Sequence, residues 1–307
     1  MKAVQFNEYG GPEVLQVVDV DEPHAGPGQV RIAVRAAGVN FSDLMKMRAG
    51  HWKGKPIPLP SGIGVEGAGI VDEVGEGVTG VAIGDAVFGC GSDTLAQYAV
   101  LRPGVWARKP DNLPFEEAAG FSVVVETATR ILAQVGVKSG ATILVSGASG
   151  GIGSAAIQFA RCRGITVIGT ASAPNHEYLR GLGAIPTTYG PGLVERVRRL
   201  APTGVDAALD IAGSSVIPEL IELVGDPSRV LSVADFTAPQ YGAQLSLAAQ
   251  EHPERALAEA ARLFSEGAFR VALGKTFPLA LAAEAYKLCA AGHAVGKLVI
   301  SIPSVQP

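Results

Sequence analysis

The middle of the chain contains a glycine-rich turn that constrains the fold more than any other feature. Thr142–Ser146 is an apolar run with β-branched residues, and residues 154–161 have a helical pattern. The turn between them reads Gly147, Ala148, Ser149, Gly150, Gly151, Ile152 and Gly153. A strand that enters a helix through such a turn is typical of a dinucleotide-binding unit, although a glycine turn can also be purely structural. Because the first N–H groups of a helix are unpaired, they bind a diphosphate without any basic side chain. We therefore predict that residues 149–153 bind a nucleotide.

The remaining pattern predicts an α/β protein with two domains, as expected for 307 residues. Up to about residue 115, short runs such as the alternating Val30–Ala36 are separated by Gly and Pro clusters, which indicates a β-rich fold. After Pro114, apolar runs alternate with helical patterns, which predicts a doubly wound parallel sheet. We expect a β-rich domain over residues 1–115, completed by residues 270–307, and a dinucleotide-binding domain over residues 116–269.

Composition and charge exclude several classes of protein. The net charge is −4 without any run of basic residues, which disfavours nucleic acid as a partner. The cysteines Cys90, Cys162 and Cys289 form no C-x-x-C pair, so we expect a reducing compartment. The 22 residues between Lys138 and Arg161 are uncharged, but five are glycine, which favours a strand, turn and helix over a membrane span. The amino end shows no leader pattern, and we expect a cytoplasmic protein without a membrane partner.

Two dehydrogenase families use a glycine turn of this kind. The spacing of Ala148, Gly150 and Gly153 fits the medium-chain pattern, while that of Gly147, Gly151 and Gly153 is close to the short-chain pattern. Short-chain enzymes need a tyrosine followed four residues later by a lysine, because the lysine lowers the tyrosine pKa for proton transfer. None of the six tyrosines is followed in this way. The medium-chain pattern is therefore favoured.

A longer set of residues carries a family resemblance. Leu144, the segment Ala148–Gly153, Gln158 and Arg161 resemble the signature of zinc-independent quinone oxidoreductases, in the medium-chain dehydrogenase/reductase superfamily. Further matching segments extend over essentially the whole chain: Met1–Val4, Tyr9–Glu13, Ala37–Asn40, Gly64–Gly69 and Gly296–Val299. Ala141 departs from the pattern, because a charged or amide residue is usual there. The resemblance implies a Rossmann domain combined with a GroES-like β-rich catalytic domain.

The positions that hold zinc in related alcohol dehydrogenases lack zinc ligands. By the resemblance, the Cys, His and Cys of the catalytic site would fall at Asn40, Val65 and about Val123. Cys90 is the only cysteine in residues 88–100, so the four-cysteine structural lobe is missing as well. We therefore expect no metal. Without a Lewis acid, the hydride acceptor must itself be electrophilic, as quinones and α,β-unsaturated carbonyls are.

The residues after the second Rossmann strand favour NADPH over NADH. An Asp or Glu usually binds the ribose hydroxyls of NAD there. Counting 24 residues from Ala148 gives Ser172, which together with Asn175 can donate to a 2′-phosphate. The resemblance also places Tyr189 at that phosphate. The basic residue that often follows the serine is absent, and Arg180 is a candidate replacement.

Asn40 and Asp43 are predicted catalytic residues. The resemblance implies that both face the nicotinamide, where Asn40 would hydrogen-bond the acceptor carbonyl or the cofactor amide. The alternative is a turn in which both residues cap the local backbone. Many relatives have a tyrosine two positions after the aspartate as a proton donor, but Met45 occupies that position. The proton then comes from water, Lys46, His51 or Asp43, and the sequence does not distinguish them.

Three more residues are candidates for the site. Glu126 is a carboxylate in an apolar helical stretch, so it pairs with a cation, acts as a general acid with a raised pKa, or points to solvent. The resemblance implies that Thr127 contacts the cofactor near its nicotinamide ribose. It also implies that Lys297 lies near the cofactor, while the alternative is an exposed lysine before an edge strand.

These observations lead to three hypotheses of function. The first is an NADPH-dependent reductase of quinones or α,β-unsaturated carbonyls, with its site in a cleft between the two domains. The second is a biosynthetic enoyl or cyclising reductase that acts on a larger substrate, which Met45 and Glu126 make credible as departures from the family. The third is a nucleotide-binding scaffold without turnover. By resemblance we also expect a homodimer formed through the edge of the Rossmann sheet.

Overall fold

The computed structural model describes residues 1–52, 55–247, 252–292 and 295–303. In chain order the strands and α-helices are β1 (Lys2–Phe6), β2 (Leu15–Asp19), β3 (Val30–Gly38), α1 (Phe41–Ala49), β4 (His51–Trp52), β5 (Lys55–Pro56), β6 (Ser61–Gly62), β7 (Glu66–Val74), β8 (Ala86–Ser92), β9 (Tyr98–Arg108), α2 (Phe115–Ala118), α3 (Phe121–Gln134), β10 (Thr142–Ser146), α4 (Gly151–Cys162), β11 (Thr166–Thr170), α5 (His176–Leu182), β12 (Ile185–Thr187), α6 (Leu193–Leu200), β13 (Ala207–Asp210), α7 (Ile217–Val224), β14 (Val230–Ser232), β15 (Gln244–Leu245), α8 (Pro253–Ser265), β16 (Leu273–Pro278), α9 (Ala282–Ala290) and β17 (Lys297–Ser301). These elements form two compact units, one over Met1–Val123 with His252–Pro307, and the other over Val124–Glu251.

A six-stranded sheet organises the first unit. Its order is β16-β17-β3-β7-β8-β9, and β9 also pairs with β3, so β3, β7, β8 and β9 close into a small barrel. The first half of β3 alternates between buried and half-buried residues, as its sequence predicted. Its inward side chains, Val30, Ile32 and Val34, pack in the hydrophobic core of this unit. β17 lies between β16 and β3 and is therefore an interior strand.

The second unit is a doubly wound parallel sheet. Its strand order is β12-β11-β10-β13-β14-β15, and every pair is parallel. Numbered within the unit, this is the Rossmann order 3-2-1-4-5-6. Ile143, Leu144 and Val145 of β10 are all buried, which agrees with an apolar strand covered on both faces. The fold class predicted from the sequence is confirmed.

An aromatic cluster lies in the first unit at the start of α3. Phe121 packs edge-on against Phe88, Phe264 and Phe269, with ring centroids 5.7, 5.9 and 5.3 Å away. Phe121, Phe264 and Phe269 thus lie together in the first unit. Within the described ranges, no helix is long and apolar enough to span a bilayer.

Candidate active site

The turn after β10 has the geometry that a diphosphate site requires. Gly147 has φ of 80°, in the left-handed region that favours glycine. A Cβ atom on Gly153 would lie 2.7 Å from Cα of Ala148, so α4 packs onto the turn only with a glycine there. At Gly150, the one described atom within 4 Å of a Cβ would be Gly147 O, at 3.5 Å. The backbone at Gly150 is therefore open beside the unpaired N–H groups that begin α4, and these groups fit the diphosphate of a dinucleotide.

The predicted 2′-phosphate residues lie beyond β11 and β12. Asn175 Nδ2 donates to Ser172 Oγ at 3.2 Å, so these two side chains are close together. Tyr189 follows β12, and 62% of its surface is exposed. Arg180 forms an exposed ion pair with Glu177, at 3.0 Å. Arg180 therefore already has an anionic partner.

Sequence reasoning missed a basic groove beside β12. The cavity has a volume of about 270 Å³ and is lined by His176, Pro186, Thr187, Thr188, Arg196, Arg199 and Leu200. The Arg196 guanidinium donates to backbone carbonyls of residues 188–191 at 2.7–3.3 Å, and thereby holds the loop that carries Tyr189. In the described part of the chain, neither Arg196 nor Arg199 forms an ion pair with a carboxylate, whereas Arg198 pairs with Glu222. The groove therefore keeps an excess of positive charge.

Asn40, Glu66 and Lys297 form a buried group in the first unit. Asn40 follows β3, while Glu66 and Lys297 begin β7 and β17, the two strands that flank β3. Lys297 Nζ lies 2.6 Å from Glu66 Oε1 and donates to Asn40 Oδ1 at 2.5 Å. Asn40 Nδ2 donates to Glu66 Oε1 at 3.0 Å. Only 7%, 0% and 6% of the surfaces of Asn40, Glu66 and Lys297 are exposed, so the alternative of an exposed Lys297 before an edge strand does not describe this residue.

These contacts use most of the hydrogen-bonding capacity of the Asn40 side-chain amide. Its Nδ2 also approaches Gly38 O at 3.5 Å, and its Oδ1 accepts from Lys297. Asn40 is the residue before α1, but its side chain makes no capping hydrogen bond to that helix. What remains available is one lone pair on Oδ1, which accepts a hydrogen bond. Asn40 can therefore bind an amide N–H but has little capacity to donate to a carbonyl.

Local backbone features make room for this group. A Cβ atom on Gly38 would lie 2.8 Å from Cδ of Glu66, and one on Gly120 would lie 2.8 Å from Cγ of Lys297. The second carboxylate oxygen, Glu66 Oε2, accepts the backbone N–H of Val123 at 2.8 Å. Both oxygens of the buried carboxylate are thus paired, as a stable buried charge requires.

Within the described ranges, no three His, Cys, Asp or Glu side chains form a cluster that could hold a metal ion. Asn40 and Val123, at two positions that the resemblance assigns to zinc ligands, instead take part in the group around the Lys297 ammonium.

Asp43 lies in α1 and is completely buried. Its Oδ2 accepts a hydrogen bond from the Tyr286 hydroxyl at 2.8 Å, and Lys46 Nζ lies 3.9 Å from its Oδ1. Burial raises the pKa of Asp43 to about 6, against the opposing effects of Lys46 and of the Tyr286 hydrogen bond. Burial also raises the pKa of Tyr286. Of the other proton donors considered, His51 is exposed on β4.

Glu126 is paired with a cation, which is one of the three arrangements considered for it. Arg130, one helical turn later in α3, donates from Nε to Glu126 Oε1 at 2.8 Å. The same guanidinium contacts the hydroxyl of Ser246 beyond β15 and donates to the Ser246 carbonyl at 3.3 Å. Thr127, the next residue, is buried and its hydroxyl lies 3.4 Å from Glu126 Oε2. Glu126 and Arg130 therefore tie α3 to the end of β15.

Sequence reasoning did not identify Glu66, Arg130 or Tyr286 as site residues. Glu66 had a signal, since it is the one charged residue in the apolar segment 61–71, and a buried carboxylate needs a cation. Arg130 also had one, because it stands four residues after Glu126. Tyr286 had none, since its partner Asp43 is 243 residues away in the chain.

Comparisons with known proteins agree with this fold, which is that of a medium-chain dehydrogenase/reductase. Residues 26–111 match the family described as Alcohol dehydrogenase GroES-like domain, and residues 187–300 match the family described as Zinc-binding dehydrogenase. A quinone oxidoreductase of Pseudomonas aeruginosa is 33% identical, over 97% of this chain and 99% of that protein. The chain belongs to the quinone oxidoreductase family.

Other similarities extend this picture. The structure of the quinone oxidoreductase from Coxiella burnetii has a TM-score of 0.86 at 32% identity, covering 99% of both chains. Mycobacterial Rv1454c complexed with NADPH has a TM-score of 0.86 at 28% identity, covering 98% of this chain and 100% of that one. The polyketide synthase component PikAII of Streptomyces venezuelae is 35% identical over 91% of this chain, which spans only 8% of that protein.

Proposed function

We propose that this protein is an NADPH-dependent reductase that transfers hydride to a quinone or an α,β-unsaturated carbonyl. The observation that carries the proposal is the open glycine turn between β10 and α4, at the centre of a parallel sheet with Rossmann order. The quinone oxidoreductases of Pseudomonas and Coxiella, and the mycobacterial neighbour complexed with NADPH, support it. When bound, NADPH supplies the hydride.

Different residues of the second unit bind different parts of the cofactor. The N–H groups of residues 149–153 hold the diphosphate, and Thr127 contacts the nicotinamide ribose. Ser172, Asn175 and Tyr189 surround the 2′-phosphate. The positive charge of Arg196 and Arg199 in the nearby groove stabilises that phosphate electrostatically. This excess of positive charge favours NADPH over NADH, which lacks the phosphate.

The first unit contributes Asn40 and Asp43. The free lone pair of Asn40 Oδ1 would accept a hydrogen bond from the carboxamide of the cofactor. Asp43 is a positioning residue, since it is completely buried and holds the Tyr286 hydroxyl. The acceptor must be activated by conjugation, because a saturated carbonyl would need a stronger electrophile than these residues provide.

Oxidation of NADPH tests the proposal, followed at its nicotinamide absorbance with simple quinones and then with enones. We expect turnover with at least one of these acceptor classes, and slower turnover with NADH. A protein that binds NADPH but reduces neither class would instead be a nucleotide-binding scaffold. A protein that binds neither NADPH nor NADH would contradict the proposal entirely.

A second candidate function is an enoyl reductase acting on a larger biosynthetic substrate. The similarity to PikAII favours it, because 91% of this chain matches part of a polyketide synthase. The same assay separates the two functions. Turnover of enoyl thioesters without turnover of quinones supports the second, while turnover of quinones supports the first.

A further inference from the structure

We infer that the Lys297 ammonium is a catalytic donor, which stabilises the negative charge that hydride addition places on the oxygen of the acceptor. The inference rests on the proposed function and deepens it, because it assigns the electrophilic group of the site. It gives Lys297 a role toward the substrate, in addition to the proximity to the cofactor that the resemblance implied.

The hydrogen bonds of Lys297 leave one N–H available. Nζ contacts two acceptors, since it donates to Asn40 Oδ1 and forms an ion pair with Glu66 Oε1 at 2.6 Å. Among the described residues, Nζ makes no third hydrogen bond or ion pair. An ammonium group has three donors and no acceptor capacity, so the third N–H is free to bind an oxygen of the substrate.

Neighbouring groups are less suited to this role. Asn40 offers an acceptor rather than a donor, as its contacts show. The other buried cation among the described residues is Arg130, whose guanidinium is engaged by Glu126 and Ser246 in the second unit. Lys297 is therefore the buried cation of the first unit that retains a donor.

Glu66 and Asn40 fix the ammonium in position before any reaction. A donor that is already oriented in a buried site stabilises a developing charge without reorganisation, which is the basis of electrostatic catalysis. Gly38 and Gly120 leave the space that the carboxylate and the lysine stem occupy. The ion pair of Glu66 and Lys297 therefore requires glycine at positions 38 and 120.

Lys297 acts in a step that begins with hydride transfer. Hydride from NADPH forms a C–H bond at the β-carbon of the acceptor, and the electron pair of the C=C bond moves to the carbonyl oxygen. The cofactor is oxidised to NADP⁺ and the acceptor is reduced to an enolate, whose oxygen accepts the third Lys297 N–H. A proton from water then forms the C–H bond at the α-carbon, so Lys297 keeps its own proton throughout.

The experiment compares Lys297→Met with the wild-type protein for enone and quinone acceptors. An enolate oxygen is more basic than the oxygen of a reduced quinone, so loss of the donor should slow enones more. We expect kcat for enones to fall by about 100-fold and kcat for quinones to fall clearly less. Lys275→Met, which removes an exposed lysine from the adjacent strand β16, is the matched control and should leave both rates unchanged.

A double variant separates this role from a structural one. Lys297→Met alone leaves Glu66 buried and uncompensated, which destabilises the fold. Glu66→Gln with Lys297→Met removes both charges, while the carbonyl oxygen of the new side-chain amide still accepts the N–H of Val123. We expect the double variant to recover thermal stability and to bind NADPH like the wild type, but to remain as slow with enones as Lys297→Met.

Two results would overturn the inference while leaving the proposed function intact. One is recovery of enone turnover in the double variant, which would make Lys297 purely structural. The other is an equal loss for quinones and enones in Lys297→Met. If the wild type binds no NADPH, the proposed function fails first and the inference fails with it.

Discussion

Asp43 is a buried carboxyl group, and its environment makes the stability of the protein depend on pH. The pKa of Asp43 in the folded protein is about 6, above its ordinary value of 3.8, because burial disfavours the charged form. Below pH 3.8 both the folded and the unfolded chain hold the proton. As pH rises toward 6, the unfolded chain releases the proton first, so the free energy of unfolding falls. The loss amounts to about 3 kcal/mol above about pH 6.

We therefore predict that Asp43→Asn removes this part of the pH dependence, since an amide does not titrate and still accepts the Tyr286 hydroxyl. Urea unfolding at about pH 4 and about pH 7 measures the effect. Relative to the variant, the wild type should lose about 2 kcal/mol of unfolding free energy between these pH values, since the unfolded carboxyl is already partly ionised at the lower pH. Asp19→Asn, at an exposed position, is the control: it keeps Asp43, so it should lose unfolding free energy between these pH values as the wild type does. Identical pH profiles for wild type and Asp43→Asn would contradict this assignment.

Arg199 gives a test of cofactor preference at a single residue. Because Arg199 lines the groove beside β12 without a carboxylate partner in the described ranges, Arg199→Gln should weaken NADPH binding by about threefold to tenfold. The affinity for NADH should not change, since NADH has no 2′-phosphate. Arg198→Gln alters a neighbouring arginine that already pairs with Glu222, and should affect neither cofactor. Equal losses for NADPH and NADH in Arg199→Gln would show that its charge acts elsewhere.

The residues of the candidate site were easier to predict from the sequence than the residues that they contact. Asn40, Asp43 and Lys297 were singled out from the sequence, but the contacts of Asn40 and Lys297 with each other and with Glu66 depend on three strands brought together by the sheet. The pairing of Asn40 with Lys297 spans 257 residues of the chain, and no local pattern encodes it. The roles of the cofactor residues remain predictions.

At the level of elements, α3 is stabilised by an ion pair that the sequence left undecided. Glu126 and Arg130 are four residues apart in α3 and mostly buried, with 16% and 9% of their side chains exposed. Arg130 also reaches Ser246 beyond β15. Since a buried carboxylate without its partner is costly, α3 depends on both members of the pair.

We predict that Arg130→Met lowers the free energy of unfolding by about 3 kcal/mol, because it leaves Glu126 without its cation. Adding Glu126→Leu should recover part of this loss. Chemical denaturation of the three proteins measures both effects. Arg262→Met is the matched control, since Arg262 and Glu266 have the same spacing in an exposed pair, and it should cost less than about 1 kcal/mol. A cost for Arg130→Met no larger than that of the control would contradict the role given to this pair.

Apolar strands and amphipathic helices were predictable where the local pattern is strong. The bounds of β10 agree with the apolar run Thr142–Ser146 in the sequence. β12 and β15 were not predicted, because they have three and two residues and are too short to show any period. Their positions depend on pairing with β11 and β14, which only the assembled sheet provides.

For the whole molecule, the sequence predicted a β-rich domain and a Rossmann domain, and both are present. What local patterns did not provide is the packing of Phe121 with Phe264 and Phe269, which groups distant segments in the first unit. Contacts of this kind join residues far apart in the chain, so they follow from the tertiary fold rather than from periodicity.

Gly150 offers the clearest test of the cofactor site. A side chain there has space in the protein, so Gly150→Asp should leave the fold intact while it places a negative charge against the diphosphate. Gly181→Asp adds the same charge to α5, where a Cβ would also have space, and serves as the control.

Calorimetric titration of NADPH into these three proteins measures whether the turn at Gly150 binds the cofactor. We expect the wild type and Gly181→Asp to bind NADPH with similar affinity, and Gly150→Asp to bind it about tenfold more weakly or not at all. If the wild type bound no NADPH, or if Gly150→Asp bound it as tightly as the wild type, the turn at Gly150 would not be the cofactor site.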